Sequence, residues 1–184
     1  MNTQKKEQFQ QWLNEKNFTY FITIEPTPAL PFKIEEIEQR FRTIEFHLNK
    51  RYLPSSFPKW KDEDRFWFII FAEGSAVTNN KHYHILFHTP ESVSKRNFWY
   101  ESQYGLKTDF MSLWGMLPSV TPHNGKVRDR VLMHDIIAWE TIANHKGATN
   151  YCSKLQNFNE WSENYENERF FFSTPPKITN RRLN

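Results

Sequence analysis

Apolar positions along this chain follow two rhythms. Residues 32–49 carry Ile34, Ile37, Phe41, Ile44 and Leu48 at steps of three and four, with charges elsewhere. That spacing draws one apolar stripe along a helix. Residues 18–25, FTYFITIE, are instead rich in β-branched and aromatic residues and predict a strand, which PTPALP then breaks. Residues 65–73, RFWFIIFAE, are almost continuously apolar, the pattern of a central strand. GSAVTNN supplies a turn, and residues 81–88, KHYHILFH, return as its antiparallel partner. A helix is expected over 107–116, a strand over 131–140 and a helix over 147–157, opened by Gly147 and Thr149. Residues 3–16 predict a short polar helix with Phe9 and Trp12 as its apolar contacts. After that first helix the order is β-α-β-β-α-β-α. It predicts an α+β fold with a mainly antiparallel central sheet and helices packed on one face, of ferredoxin-like type.

Composition adds bounds to this picture. The 184 residues suit a single domain, 1–184, with residues 1–17 as a helical extension and the Pro-rich basic stretch 174–184 as a flexible tail. Hydrophobic residues make up 38% and aromatics 17%, enough for a folded core; with Phe at 17 and Trp at 7, part of the aromatic excess is core, and exposed rings could also stack on bases. A net charge of +3 permits a polyanionic partner without requiring one. No apolar run approaches a membrane span, and MNTQKKEQFQQW lacks the apolar centre of a signal peptide. The single cysteine, Cys152, excludes an internal disulfide framework. A soluble protein of the cytoplasm, with no membrane partner, is the expectation.

KHYHILFH holds three of the seven histidines. Alternate side chains of a strand share a face, so His82, His84, Leu86 and His88 point one way and Tyr83, Ile85 and Phe87 the other. His82 and His84 lie roughly 7 Å apart at Cα, close enough to share one ion, whereas His88 lies about 13 Å beyond. Two imidazoles suit a borderline divalent ion and need a further ligand. Glu73 ends the preceding strand, and the hairpin can bring its carboxylate beside His82. H-x-H is short, and partly exposed strand histidines without a ligand are the alternative.

NYCSKLQ places Tyr151 and Lys154 three residues apart, on one side of a helix. A phenol is a weak nucleophile at neutral pH, and a metal ion with a nearby ammonium would help it attack. Packing for the tyrosine and solvation for the lysine are the alternative, because Y-x-x-K is common by chance. Cys152 reads as small core filler.

Taken together, HYH between apolar residues, YCSK about seventy residues later and YFITIEP on the first strand resemble the replication initiator (Rep) class of HUH endonucleases, over residues 18 to 157. Glu73 stands where that family has its third metal ligand. The resemblance implies a ferredoxin-like, RRM-like Rep nuclease fold. It implies that His82, His84 and Glu73 hold Mn²⁺ or Mg²⁺ and that Tyr151, helped by Lys154, attacks a phosphate of single-stranded DNA at a replication origin hairpin. The products are a 5′-phosphotyrosyl link and a free 3′-OH, and the exchange is reversible. The role implied is initiation of rolling-circle replication of a plasmid or virus. No GxxxxGK[ST] loop is present, so either a host helicase is a partner or the chain is a piece of a longer protein. Lys95, Arg96, Lys126, Arg128 and Arg130 suit phosphate contact, and Trp99, Tyr100 and Tyr104 suit either base stacking or the core. Two alternatives stay open: a transposase or relaxase with the same chemistry, and a non-catalytic module binding single-stranded nucleic acid. Position 155 is leucine where such transposases carry glutamine, and Tyr151 follows the histidines where relaxases place it before them.

Overall fold

The computed structural model describes residues 3–25, 34–74, 81–93, 105–116, 136–154 and 170–172. In chain order the elements are α1 (Thr3–Asn14), β1 (Tyr20–Glu25), α2 (Ile34–Tyr52), two 3₁₀ turns (Phe57–Lys59 and Asp62–Asp64), β2 (Trp67–Gly74), β3 (Lys81–His88), α3 (Leu106–Met116), β4 (Ile136–Thr141), α4 (His145–Lys154) and β5 (Phe170–Phe172). The strands form one sheet in the order β4-β1-β3-β2-β5, with every pairing antiparallel. Since β1 and β2 both run against β3, they are parallel to each other with β3 inserted between them. That is the split βαβ arrangement, and the expected α+β, ferredoxin-like class is the one observed.

One face is covered by α2 and α3. Ile37, Phe41, Ile44 and Leu48, four of the five positions in the helical stripe, are fully buried against Phe68, Ile70, Ile85 and Phe87. Phe110 and Trp114 of α3 complete this aromatic layer, in which the Phe68 and Phe87 rings stack at 4.4 Å. Asn49 sits at the edge of the layer, wholly buried. Its Nδ2 donates to the carbonyls of Glu45 and Phe66, and its Oδ1 accepts from the Phe66 N–H, so one side chain replaces a strand partner at the entry to β2.

The opposite face carries helices as well, an addition to the one-sided layer the sequence predicts. Leu13 of α1 and Cys152 of α4 pack with Phe18, Trp67, Ile69, Phe71 and Leu86. The cause lies in β2: its uninterrupted apolar run offers Phe68 and Ile70 to one layer and Trp67, Ile69 and Phe71 to the other. The N-terminal helix is therefore part of the domain. It is also tied to α4 by a hydrogen bond from the Thr149 hydroxyl to Asn14 Oδ1, 2.6 Å.

The strand expected over 131–140 is observed as Ile136–Thr141, and residues 131–135 lie outside the described region. The last helix starts earlier than its glycine suggests. Asn144 caps it by accepting the Gly147 N–H on Oδ1 at 2.9 Å, and a side chain at 147 would meet Asn144 Nδ2 at 2.7 Å. β5, which extends the sheet beyond β2, was not expected. The tail 174–184 lies outside the described residues.

Candidate active site

Alternation on β3 works as the sequence predicts. Tyr83, Ile85 and Phe87 enter the α2–α3 core, and Leu86 enters the opposite one. Towards the far end of the α1–α4 face, beyond Leu86, the layer turns polar. His84 is 7% exposed, and both of its ring nitrogens are engaged. Nε2 lies 2.7 Å from Glu73 Oε2, and Nδ1 lies 3.0 Å from Thr23 Oγ1. An ionised carboxylate only accepts, so Nε2–H donates to Glu73 and the Thr23 hydroxyl donates to Nδ1 in the neutral ring. Phe21 stacks flat against the imidazole at 5.6 Å. His82 is half-exposed, and its Nε2 lies 3.9 Å from Glu25 Oε1.

These contacts come from two strand pairings. The β1–β3 register sets Thr23 opposite His84, and the β2–β3 register sets Glu73 opposite His82. Glu73 nevertheless reaches diagonally to His84, a distance that long side chains bridge in antiparallel sheets. The hairpin thus brings Glu73 to the histidine pair, opposite His82 in register and bonded to His84.

Tyr151 comes to the same place from α4. Its ring stands perpendicular to that of His84 with centroids 5.2 Å apart, and perpendicular to Phe21 at 6.0 Å. It is 44% exposed, so the side chain is accessible from solvent. Partial burial pushes its ionisation upward, and the charge of Glu73 adds to the effect. The phenolate is accordingly disfavoured here until positive charge enters the site. Cys152 faces the core, where burial pushes its thiol up and leaves it inert.

The donor chemistry of two imidazoles and two carboxylates fits a divalent ion of the Mn²⁺ type. Thr23 has the place of the supporting hydrogen bond that orients a ligating imidazole. As the side chains stand, Glu73 bonds directly to His84, and among the described residues no group of three or more His, Cys, Asp or Glu is arranged to hold a metal ion.

His88 stands apart, as its spacing predicts. Its nitrogens face the carbonyls of Asn17 at 2.7 Å and Glu63 at 3.0 Å, and its ring stacks on Trp67, so it pins two loops. Lys154 is the last residue of α4, one helical turn after Tyr151. Lys95, Arg96, Lys126, Arg128, Arg130, Trp99, Tyr100 and Tyr104 lie outside the described residues. Sequence reasoning missed Thr23 and Glu25. The signal was present in the alternation Phe21, Thr23, Glu25, which shares the histidine face once β1 is paired with β3.

Among the described residues no helix is long and apolar enough to cross a membrane. Comparison with protein-family models, curated proteins and solved structures finds no match.

Proposed function

We propose that this chain is a metal-dependent enzyme that nicks and rejoins single-stranded DNA, acting as the origin-nicking domain of a rolling-circle replication initiator. The observation that carries this reading is the meeting of Tyr151 with the His84–Glu73 pair. Residues 73, 84 and 151 come from three elements, and an exposed phenol ends at 5.2 Å from a buried, hydrogen-bonded imidazole. A packing tyrosine has no need of exposure.

His82, His84 and Glu73 would hold Mn²⁺ or Mg²⁺, with Glu25 beside His82. An ion bound there would supply positive charge beside the phosphate and favour the phenolate. For His84 to offer its Nε2 lone pair, the proton moves to Nδ1, which then donates to Thr23 Oγ1. A hydroxyl can take either role, so the Thr23 contact survives the exchange. Phe21 and Thr23 keep the imidazole plane in place meanwhile. Tyr151 Oη attacks phosphorus, its proton is released, the P–O3′ bond breaks, and the 3′ oxygen leaves as a hydroxyl after taking up a proton. The DNA 5′ phosphate remains on Tyr151, and the reverse attack by a 3′-OH rejoins strands. Positioning and charge neutralisation provide the rate. Lys154, one turn on, would offset charge on the phosphate.

The test is a covalent adduct. Single-stranded oligonucleotides labelled at the 3′ end, in a broad sequence pool with Mn²⁺, are expected to give a band that survives denaturation. Chelation and Tyr151→Phe should each abolish it. No band with any divalent metal would overturn the enzyme reading, and a band from Tyr151→Phe would overturn the nucleophile.

A further inference from the structure

A cleft of about 410 Å³ opens beside Tyr151, between α4 and the edge strand β4. Its walls are Phe21 and Tyr151, its floor includes Ile142 and Ala148, and Glu140 and Asn144 stand among its polar lining. The volume falls in the range of small-molecule sites. Two aromatic rings with an aliphatic floor suit a flat heterocycle. The polar groups decide which part of a nucleotide enters. A phosphate would meet the Glu140 carboxylate, a like charge, so the cleft rejects the backbone. The same carboxylate accepts a hydrogen bond from an exocyclic amine, as acidic side chains do from cytosine N4. Asn144 spends Oδ1 on the cap of α4, which leaves its Nδ2 as a donor on the same side.

From this lining we infer that the cleft is a base pocket, one that seats a nucleobase next to the scissile phosphate and prefers a base with an exocyclic amine, adenine, cytosine or guanine, over thymine. The inference rests on the DNA-nicking reading, because Tyr151 is at once the proposed nucleophile and a wall of the cleft. One base held here would set the phosphate on its flank against Tyr151 Oη. Part of the choice of cleavage site would then come from β4 and the N-terminus of α4.

A randomised single-stranded DNA pool tests this, with separate sequencing of the bound fraction and of the covalently attached fraction. Wild type should show at least about tenfold preference for one or more of adenine, cytosine and guanine over thymine at one position within two nucleotides of the cut, the size of effect expected for one good hydrogen-bonded base contact. Glu140→Ala should erase the preference at that position only. Glu140→Gln, which presents both a donor and an acceptor, should admit thymine there. Glu140 is exposed on an edge strand, and unchanged thermal unfolding confirms that both variants fold. Adducts from both variants with the wild-type base profile would overturn the pocket and leave nicking intact. If wild type forms no adduct, nicking falls, and the bound fraction decides the pocket alone. An amine-base preference lost in Glu140→Ala keeps it, and a flat or unchanged profile removes it.

Discussion

Tyr83 and His84 are neighbours on β3, yet they look into different worlds. Tyr83 faces the α2–α3 layer, where Phe41, Phe68, Phe87, Phe110 and Trp114 leave almost no room for water. His84 faces the α1–α4 layer, which is apolar near Trp67 and Leu86 and polar where Thr23, Glu25, Glu73 and His82 gather. Both side chains are buried, but for different ends. The first layer buries rings for stability, and polar groups buried with it, such as Asn49 and Arg40, are met by hydrogen bonds. The second buries an imidazole and must satisfy both nitrogens to do so. A single strand can serve both because its side chains alternate, so the hydrophobic layer stiffens the backbone that presents the polar one.

The largest expected break in this contrast is Phe68→Ala. Phe68 is fully buried and stacks on Phe87, so its loss should cost about 3–5 kcal/mol in urea unfolding. Adduct formation by the fraction still folded should stay close to wild type. A large loss of activity per folded molecule would show that the two faces are not separable.

Tyr83 sharpens the comparison through pH. Burial pushes its phenol up to about 12. The neutral form is favoured in the folded state, so the associated stability is complete below the unfolded value, near 10, and is lost as pH rises through the folded one. Between those limits unfolding free energy should fall by roughly 2 kcal/mol on this account, at 1.36 kcal/mol per pH unit. Tyr83→Phe should remove that part of the slope. Tyr52, raised by burial and its bond to Asp109, retains its own share. An unaltered slope in Tyr83→Phe would mean that the ring is not the group being titrated.

On the other face, His84→Ala should weaken Mn²⁺ binding at least about tenfold by calorimetry, on the scale seen when groups supporting a metal site are removed. Its stability cost should stay near 1–2 kcal/mol, the scale of one or two hydrogen bonds with a buried partner left over. The opposite pattern, large destabilisation with unchanged Mn²⁺ affinity, would return His84 to a structural role. Smallest of all, Arg42→Ala removes an exposed ion pair with Glu38 on the outside of α2 and should change stability by less than about 0.5 kcal/mol. A larger change would mean that the solvent side of the apolar layer matters more than its exposure implies.

Much of this was legible in the residues themselves. The helical stripe on α2, the strands β1 to β3 and the split of β3 into two faces follow from local periodicity, because side-chain direction on a strand or helix is a property of the backbone. The separation of His82 and His84 from His88 follows from strand rise alone. What escaped was non-local. Thr23 and Glu25 became partners of the histidines only through the β1–β3 register, and Glu73 chose His84 over His82 through a diagonal contact. The helices on the second face needed α1 to fold back across the sheet, and β5 needed a pairing about a hundred residues from its partner β2. The sequence by itself determined which atoms of β3 could act together. Only the tertiary structure decided that Tyr151 would stand over them, because the docking of α4 on the sheet depends on Leu13, Thr149 and Cys152 finding partners far away in the chain.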